Sequence, residues 1–472
     1  MKTYRYGAPL AAAWILLCVV GWNLLSPSFR YGEGHAQRPI LAFVFLWAAA
    51  GAGLWLLARS LPSRVSAEER AGWAWKAALL LGLAGRLVLL PTPLIQEDDP
   101  YRFVLDGQTV LAGADPYRLT PSQIAQSFDH PLTPQLRGDP QARQILRRVS
   151  RPDLHTVYPP VAQGAFALGA WLSGWDWRGQ RWVFLSVDLA LLALLLWLLK
   201  LLALPPQWSL LWACNPLVLK EVANSAHADV LAAFFLLLAI AALCGRLQLG
   251  PCSGAVLAGA ALGLAVLCKL YILFLLPAFL LWLLKRSGQG PATNAGAALL
   301  GTAFALPTAA GLAWMLSWTP SGIEAYAGDW QINAGAFMVL EKLTEALGMP
   351  PLAARAGCLL VASAGAVLIP WTRRGRGLPL LICNLQWVLL LWWLLQPAAY
   401  PWYALPLLAL LPLAPHAGAA RAALLLSSAA SVYYLHFLPE YNNLEPLGIT
   451  MITLAEHGVL WAALLLPGRR RV

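Results

Sequence analysis

Charge is what this chain has least of: Asp, Glu, Lys and Arg make up only 12% of its 472 residues, against 59% hydrophobic residues. With a mean hydropathy of +0.62, that scarcity excludes an ordinary soluble enzyme and predicts an all-α polytopic membrane protein. Apolar/polar alternation is missing as well. The apolar runs are continuous and close to the roughly 20 residues a membrane helix needs, which excludes the strands of an outer-membrane barrel. The seven cysteines (Cys18, Cys214, Cys244, Cys252, Cys268, Cys358 and Cys383) lack CxxC or any other metal-ligand spacing and read as small buried hydrophobes. The first apolar run, about residues 9 to 26, lacks a small-residue cleavage site and reads as a retained helix instead of a signal peptide. No internal repeat, low-complexity segment or separate soluble domain is evident, so residues 1–472 read as a single integral membrane domain.

The formal charge is +11, but the basic residues lie mostly in short loops and at the termini, where they act as topology signals; nucleic acid is not the expected partner. Lys2 and Arg5 at one end, and Arg421 and Arg469 to Arg471 near the other, predict cytoplasmic termini and an even number of crossings. The loop holding Arg59, Arg64 and Arg70 is then cytoplasmic, and the apolar run at 74–94 leads outward. The apolar piece from Pro160 to Gly174 decides the rest. If it spans, Lys200, Arg246, Lys285, Arg286 and Arg373-Arg374-Gly375-Arg376 all fall outside. If it dips in and returns, all become cytoplasmic, and about fourteen spanning helices remain. The second topology is the expectation. It places the segment 95–158, residues 222–229, the turn at Lys269 and residues 319–350, 396–402 and 438–446 on the outer face of the cell's inner (plasma) membrane.

Acidic charge is densest in one stretch. Glu97-Asp98-Asp99-Pro100-Tyr101-Arg102-Phe103-Val104-Leu105-Asp106 carries four carboxylates and a guanidinium directly after an apolar run, and opens a loop of roughly 60 residues, longer than most loops without a function. Asp99 before Pro100 predicts an N-cap and N1 pair, and Gly113 a stop, so 100–112 should be a short helix. Tyr101, Val104, Leu105 and Gln108 share one face, with Arg102 and Asp106 four apart on another. Such a helix would lie along the membrane surface with its polar face upward. Adjacent acids raise one another's pKa while a nearby cation lowers it, and either effect can tune a general base. The plain alternative is a helix cap with solvated neighbours. The loop arginines, Arg118, Arg137, Arg143, Arg147, Arg148 and Arg151, are either tolerated in a long loop or in contact with phosphate headgroups of membrane lipids.

Three elements of this loop, Asp99-Pro-Tyr-Arg-Phe-Val-Leu-Asp106-Gly107, Gly113-Ala-Asp115-Pro116-Tyr117 and Thr156-Val-Tyr158-Pro159-Pro160-Val-Ala-Gln163, form a series with later ones. These are Asn215-Pro216-Leu-Val-Leu-Lys220-Glu221 with His227-Ala-Asp229, Cys268-Lys269-Leu-Tyr271 with Pro277, Trp330-Gln-Ile-Asn333, and Tyr400-Pro401-Trp402-Tyr403. The ordered set resembles the GT-C glycosyltransferases, specifically the polyprenyl-phosphate-mannose-dependent α-mannosyltransferases of bacterial membranes, over most of the chain from about residue 95 onward. It departs from that pattern at Leu105, Ala114 and Ala228.

The resemblance implies a GT-C fold and an inverting transfer of a hexose, mannose by analogy, from a polyprenyl-phosphate donor to a hydroxyl of a glycan or lipid acceptor. Asp98 or Asp99 would take the acceptor's proton. Lys269 and Arg102, with Lys220 behind them, would stabilise the leaving phosphate. Glu97, Tyr101, Asp106, Tyr158, Glu221, His227, Asp229 and Asn333 are candidate sugar-binding or orienting residues, and Trp330, Tyr400, Trp402 and Tyr403 candidate stacking faces. Each has a bland counterpart: an interfacial lysine at 269, a helix cap at Asp229, belt aromatics at the membrane boundary.

Lys220 and Glu221 should point apart on a helix, so that at least one needs another partner. Arg86 and Asp188, charged at membrane depth, are expected to form a structural ion pair. No cofactor is firmly implied. Adjacent carboxylates could hold Mg²⁺ or Mn²⁺, yet the histidines are scattered and the spacing demands no metal site. The competing class is a transporter or flippase of lipid-linked sugars, which usually shows two repeated halves; none are visible.

Overall fold

The computed structural model describes residues 4–32, 37–61, 72–244, 250–286, 291–318, 321–373, 375, 377–416, 418–438 and 446–465. Lys2, Arg64, Arg70, Arg246, Arg374, Arg376, Arg469 to Arg471 and most of the 438–446 junction lie outside them. About 79% is helical, with no strand among the described residues.

Among the described residues, segments Tyr6–Phe29, Ile40–Ser60, Arg178–Leu201, Ala295–Met315, Leu352–Thr372 and Leu378–Leu395 are long and apolar enough to cross a membrane, and the bent pair Pro216–Asn224 with Asp229–Ala242 makes up to seven. Shorter apolar helices, Cys252–Val266, Leu270–Lys285 and Pro401–Leu413, accompany them, so the long helices alone do not make up the about fourteen expected from the sequence. Prolines account for much of the difference. A proline lacks the N–H a helix interior needs, and Pro206, Pro216, Pro401, Pro406 and Pro412 each sit in the first positions of a short helical piece. Apolar continuity in the sequence does not distinguish one long helix from an apolar helix broken by proline. Large apolar side chains such as Leu24, Phe45, Trp171 and Leu360, each 70% or more exposed, face outward, as a lipid-contacting surface requires.

Three helices open the bundle: α1 (Tyr4–Leu25), α2 (Ile40–Ser60) and α3 (Trp73–Leu89). The Trp22, Phe43 and Trp47 rings pack between the first two. The polar segment follows with α4 (Asp99–Leu111), α5 (Pro121–Gln126), α6 (Thr133–Gly138) and α7 (Pro140–Arg148). Local chemistry starts two of these: Thr120 and Gln123 form a reciprocal capping box, and Asp139 accepts from the Gln141 amide at 2.7 Å. The segment has a small core of its own, including Leu94, Tyr101, Val104, Ile124, Leu136 and Ile145.

The next pair, α8 (Pro160–Ser173) and α9 (Arg178–Leu201), turns at Gly174, whose φ is +62°. At 14 residues, α8 is roughly 21 Å long, shorter than the ~30 Å hydrocarbon core of a bilayer. It packs tightly on α4: a Cβ at Gly107 would lie 2.3 Å from the Phe166 carbonyl oxygen, and Phe103 stacks on Phe166 at 4.2 Å.

Buried polar contacts fasten this assembly. Arg86 and Asp188 form the expected ion pair through two guanidinium nitrogens, with Trp212 Nε1 donating to Asp188 at 2.8 Å. Arg181 was not singled out from sequence. It donates to the Leu89, Leu90, Thr92 and Asn224 carbonyls, while the Asn224 side chain holds the Ile95 amide, the Thr92 hydroxyl and the Pro93 carbonyl. Together they clamp the end of α3 and hold the chain entering Glu97.

Candidate functional site

The acidic stretch begins at Gln96, a non-glycine residue at φ +48° whose side chain accepts from Arg38 at 2.8 Å. The helix that follows starts one residue earlier than the sequence predicted. Asp98, not Asp99, holds the N-cap position, and neither of their side chains caps. Glu97 does so instead: its Oε1 accepts from the amides of Asp98 at 3.0 Å and Asp99 at 3.1 Å. Capping by the preceding residue leaves neither aspartate side chain tied to the helix cap. Nor does α4 lie with a polar face toward solvent, since Pro100 through Thr109 are all buried. The reason is that residues 150–163 fold over that face: Arg102 pairs with Asp106 at 2.8 Å and donates to the Leu154 carbonyl, and Gln163 donates to Asp106 at 3.2 Å.

Above this stretch opens a cavity of about 800 Å³. Of the residues singled out from sequence, Glu97, Asp98, Asp99, Tyr101, Arg102, Tyr158, Lys269, Trp330, Tyr400, Trp402 and Tyr403 line it. Six others do not. Lys220, Glu221, His227 and Asp229 form a polar layer behind the wall, Asp106 is occupied with Arg102 and Gln163, and Asn333 stands apart. Asn333 was a candidate sugar-binder. It is 3% exposed, and its amide donates to the Ala399 carbonyl and to Glu456, joining two backbone segments that the Ile332–Ala398 bridge also ties.

The layer behind the wall is continuous. His227 Nε2 lies 2.9 Å from Glu97 Oε2 and 3.2 Å from Glu221 Oε2, so it carries its proton between two carboxylates, while Nδ1 is 3.8 Å from Asp99. The His227 imidazole stacks on the Trp402 indole at 3.8 Å. Asp229 does not cap its helix, which begins after Ala228. Its carboxylate faces Lys269 at 3.2 Å and accepts from Tyr271 at 3.1 Å.

Lys220 and Glu221 approach to 3.5 Å, contrary to the divergence expected on an α-helix, because residues Leu219–Asn224 form a π-helical turn. Tyr434 joins them: it receives a hydrogen bond from Lys220 and donates to Glu221 at 2.9 Å.

Electrostatics divide the three acids. Burial would raise Glu97, but the His227 charge and hydrogen bond, aided by Lys220, hold it down at about 2. Asp98 is the exposed member, open to the cavity yet walled by protein; that enclosure, and then the charges of Glu97 and Asp99, push it up to about 8. Asp99 is raised by burial and by Glu97, against the pull of His227, Tyr158 and Lys269. Tyr158 donates to Asp99 Oδ2 at 2.8 Å, and burial beside Asp99 keeps the phenol protonated. The site therefore presents one fixed anion, one carboxyl near the midpoint of its titration at mild alkaline pH and one oriented carboxylate.

The opposite wall is cationic and aromatic. Lys269 Nζ sits 5.1 Å from the Tyr158 ring centre and 5.0 Å from that of Tyr403. Trp330 Nε1 donates to the Tyr400 hydroxyl at 2.7 Å, and Tyr400 stacks on Trp402 at 4.5 Å. Sequence reasoning missed Arg148, which donates to the Tyr101 hydroxyl at 3.3 Å, and Arg151, over the Trp330 ring at 4.2 Å. It had counted both only among the loop's arginines. Tyr326, Tyr433 and Tyr434 were missed too, and no local signal marks them.

Two triads bring donor atoms within 4.8 Å of one another: Glu97, Glu221 and His227, and Glu97, Asp98 and Asp99. The first is internally satisfied through the His227 proton. The second, all oxygen and open to the cavity, has the hard-donor chemistry a divalent cation takes.

Comparison of the chain with protein-family models, with curated proteins and with solved structures finds no match in any of the three.

Proposed function

We propose that this chain is an inverting membrane glycosyltransferase of the GT-C type, moving a hexose, mannose by the sequence resemblance, from a polyprenyl-phosphate donor to a hydroxyl of a glycan or lipid acceptor. The observation that carries the reading is the cavity: carboxyls of graded acidity, an ammonium brought from about 170 residues away and a wall of aromatic rings meet in one volume large enough for two substrates. Carboxyl and ring contacts suit a sugar, and cations suit a phosphate.

Asp98 or Asp99 takes the acceptor's hydroxyl proton as that oxygen bonds to the anomeric carbon. The bond from that carbon to the phosphate oxygen breaks on the opposite face, and its electron pair leaves on the phosphate. Lys269 stabilises the departing phosphate, with Arg102 held at its Nε by Asp106 and with Arg151 at the rim. His227 acts through Glu97, keeping it an anion that holds the start of α4 and raises Asp98 and Asp99. A divalent cation at Glu97–Asp98–Asp99 would add charge neutralisation at the phosphate; none of these steps requires it. In this reading the cavity faces outward from the plasma membrane, and both termini are cytoplasmic.

One feature favours a second reading, a flippase or transporter. The chain turns by 117° between Pro216–Asn224 and Asp229–Ala242, and broken helices commonly build transporter sites. The deciding experiment incubates proteoliposomes containing the full chain with labelled polyprenyl-phosphate mannose and a glycan or lipid acceptor. New glycosidic product, lost in the Asp98→Asn/Asp99→Asn double variant, supports the enzyme. Transbilayer movement of label with no bond formed, equal in both proteins, refutes it.

A further inference from the structure

A second concave site lies on the polar segment, apart from the cavity above. The helices α5, α6 and α7 enclose a groove of about 240 Å³ with a floor that includes Ile124, Leu136 and Leu146 and a rim of Arg137, Arg143 and Arg147. All three guanidinium groups are held in place without being neutralised. Arg143 donates to the Arg137 carbonyl, Arg147 donates to the Arg143 carbonyl at 3.3 Å, and Arg137 lies over the Phe128 ring at 4.5 Å. No carboxylate forms an ion pair with any of them among the described residues. Beside the groove, Phe128 stands 78% exposed and adds apolar surface continuous with the floor for a lipid chain to cover.

We infer that this groove binds an anionic phospholipid of the surrounding membrane, its phosphate on the three arginines and the start of its acyl chains on the apolar floor. Charge complementarity selects the headgroup, since three clustered cations with no internal counter-ion favour an anion. The floor and Phe128 distinguish a lipid from an acidic peptide or glycan, which would satisfy the rim and leave the apolar surface wet. The segment is rooted at both ends in the apolar bundle, by the Asn224 clamp at Ile95 and by α8 at Pro160. The same helix that supplies Arg143 and Arg147 ends in Arg148, which reaches Tyr101 in the large cavity. The lipid therefore sits one helix away from the proposed chemistry.

The test uses the purified full-length protein in phosphatidylcholine nanodiscs containing a minor fraction of fluorescent phosphatidylglycerol, with retained lipid counted by native mass spectrometry and affinity read by fluorescence. The wild type should retain phosphatidylglycerol over phosphatidylcholine. The triple Arg137→Gln/Arg143→Gln/Arg147→Gln variant should bind it at least about tenfold more weakly, as each arginine near an anionic surface contributes roughly fivefold. A triple Arg→Lys variant should keep most of the affinity. Ala125→Trp, which fills the floor and leaves the charge intact, should also lose it and serves where the Gln variant does not fold. Equal retention by wild type and Ala125→Trp, no preference for the anionic lipid, or displacement by heparin without loss in the Ala125→Trp variant would each overturn the inference. None of these readouts requires catalysis.

Discussion

Two ionic clusters in this molecule put buried charge to different ends. In the Arg86–Asp188 cluster both partners are almost wholly buried, and the guanidinium is completed by the Gly82 and Ala213 carbonyls, the carboxylate by Trp212. No buried donor or acceptor of the pair is left over. Around Glu97 the arrangement is open on one side: His227 and the helix amides occupy Glu97 and Tyr158 occupies one oxygen of Asp99, while Asp98, hydrogen-bonded to Ser150, faces the cavity with its pKa displaced. A closed ionic cluster fixes helices in a low-dielectric interior. An incompletely satisfied one beside a cavity has donors and acceptors to offer a substrate.

The sharpest break of this contrast is at the open cluster. Asp98→Asn/Asp99→Asn should lower transfer by about 10³- to 10⁴-fold, the scale of general-base catalysis, while the purified variant keeps its monodisperse profile and helical circular dichroism; the single variants, assayed side by side, identify the base. At the closed cluster, Arg86→Met or Asp188→Asn alone should cost about 3–5 kcal/mol by stranding a buried charge. The double variant should recover part of that loss in unfolding experiments, and additive costs would dissolve the pairing. Lys269→Met should reduce kcat by about 10²-fold through lost stabilisation of the leaving phosphate, with partial recovery in Lys269→Arg.

A pH profile refines the open cluster further. The Asp98 pKa is raised to about 8 from an ordinary 3.8, so its base form is scarce at low pH. If Asp98 is the base, kcat/KM should climb about tenfold per pH unit below 8 and level off above, and the climb should vanish in Asp98→Asn. The same shift means this carboxyl favours the fold when protonated, and its contribution fades as pH rises through that interval. The smallest effect is expected at the aromatic wall: Trp330→Phe removes the bond to Tyr400, worth about 1 kcal/mol, and should raise KM several-fold with kcat nearly unchanged.

Legibility in the sequence was uneven for definite reasons. The start and stop of α4 could be read from Pro100 and Gly113 because both act within a turn. The Arg86–Asp188 pair could be guessed because a charge in an apolar helix needs a partner. The register of the cap was missed by one residue, since choosing between Asp98 and Asp99 depended on Glu97 reaching forward. The roles of Arg181 and Asn224 left no trace, because their partners are backbone carbonyls and amides that every residue has. Lys220 and Glu221 converge only through a π-turn, which local periodicity does not announce.

By itself, then, the sequence determined the solvent and the material. Its apolar length dictates helices in a membrane, and its one acidic stretch marks where chemistry can gather. Tertiary structure alone decided which of those residues face the cavity and which stand behind the wall. The pairs that settle this, Glu97 with His227 across 130 positions and Glu221 with Tyr434 across 213, depend on how whole helices pack. Side-chain spacing specifies the face a residue occupies on its own helix, and it carries no information about which other helix that face will meet.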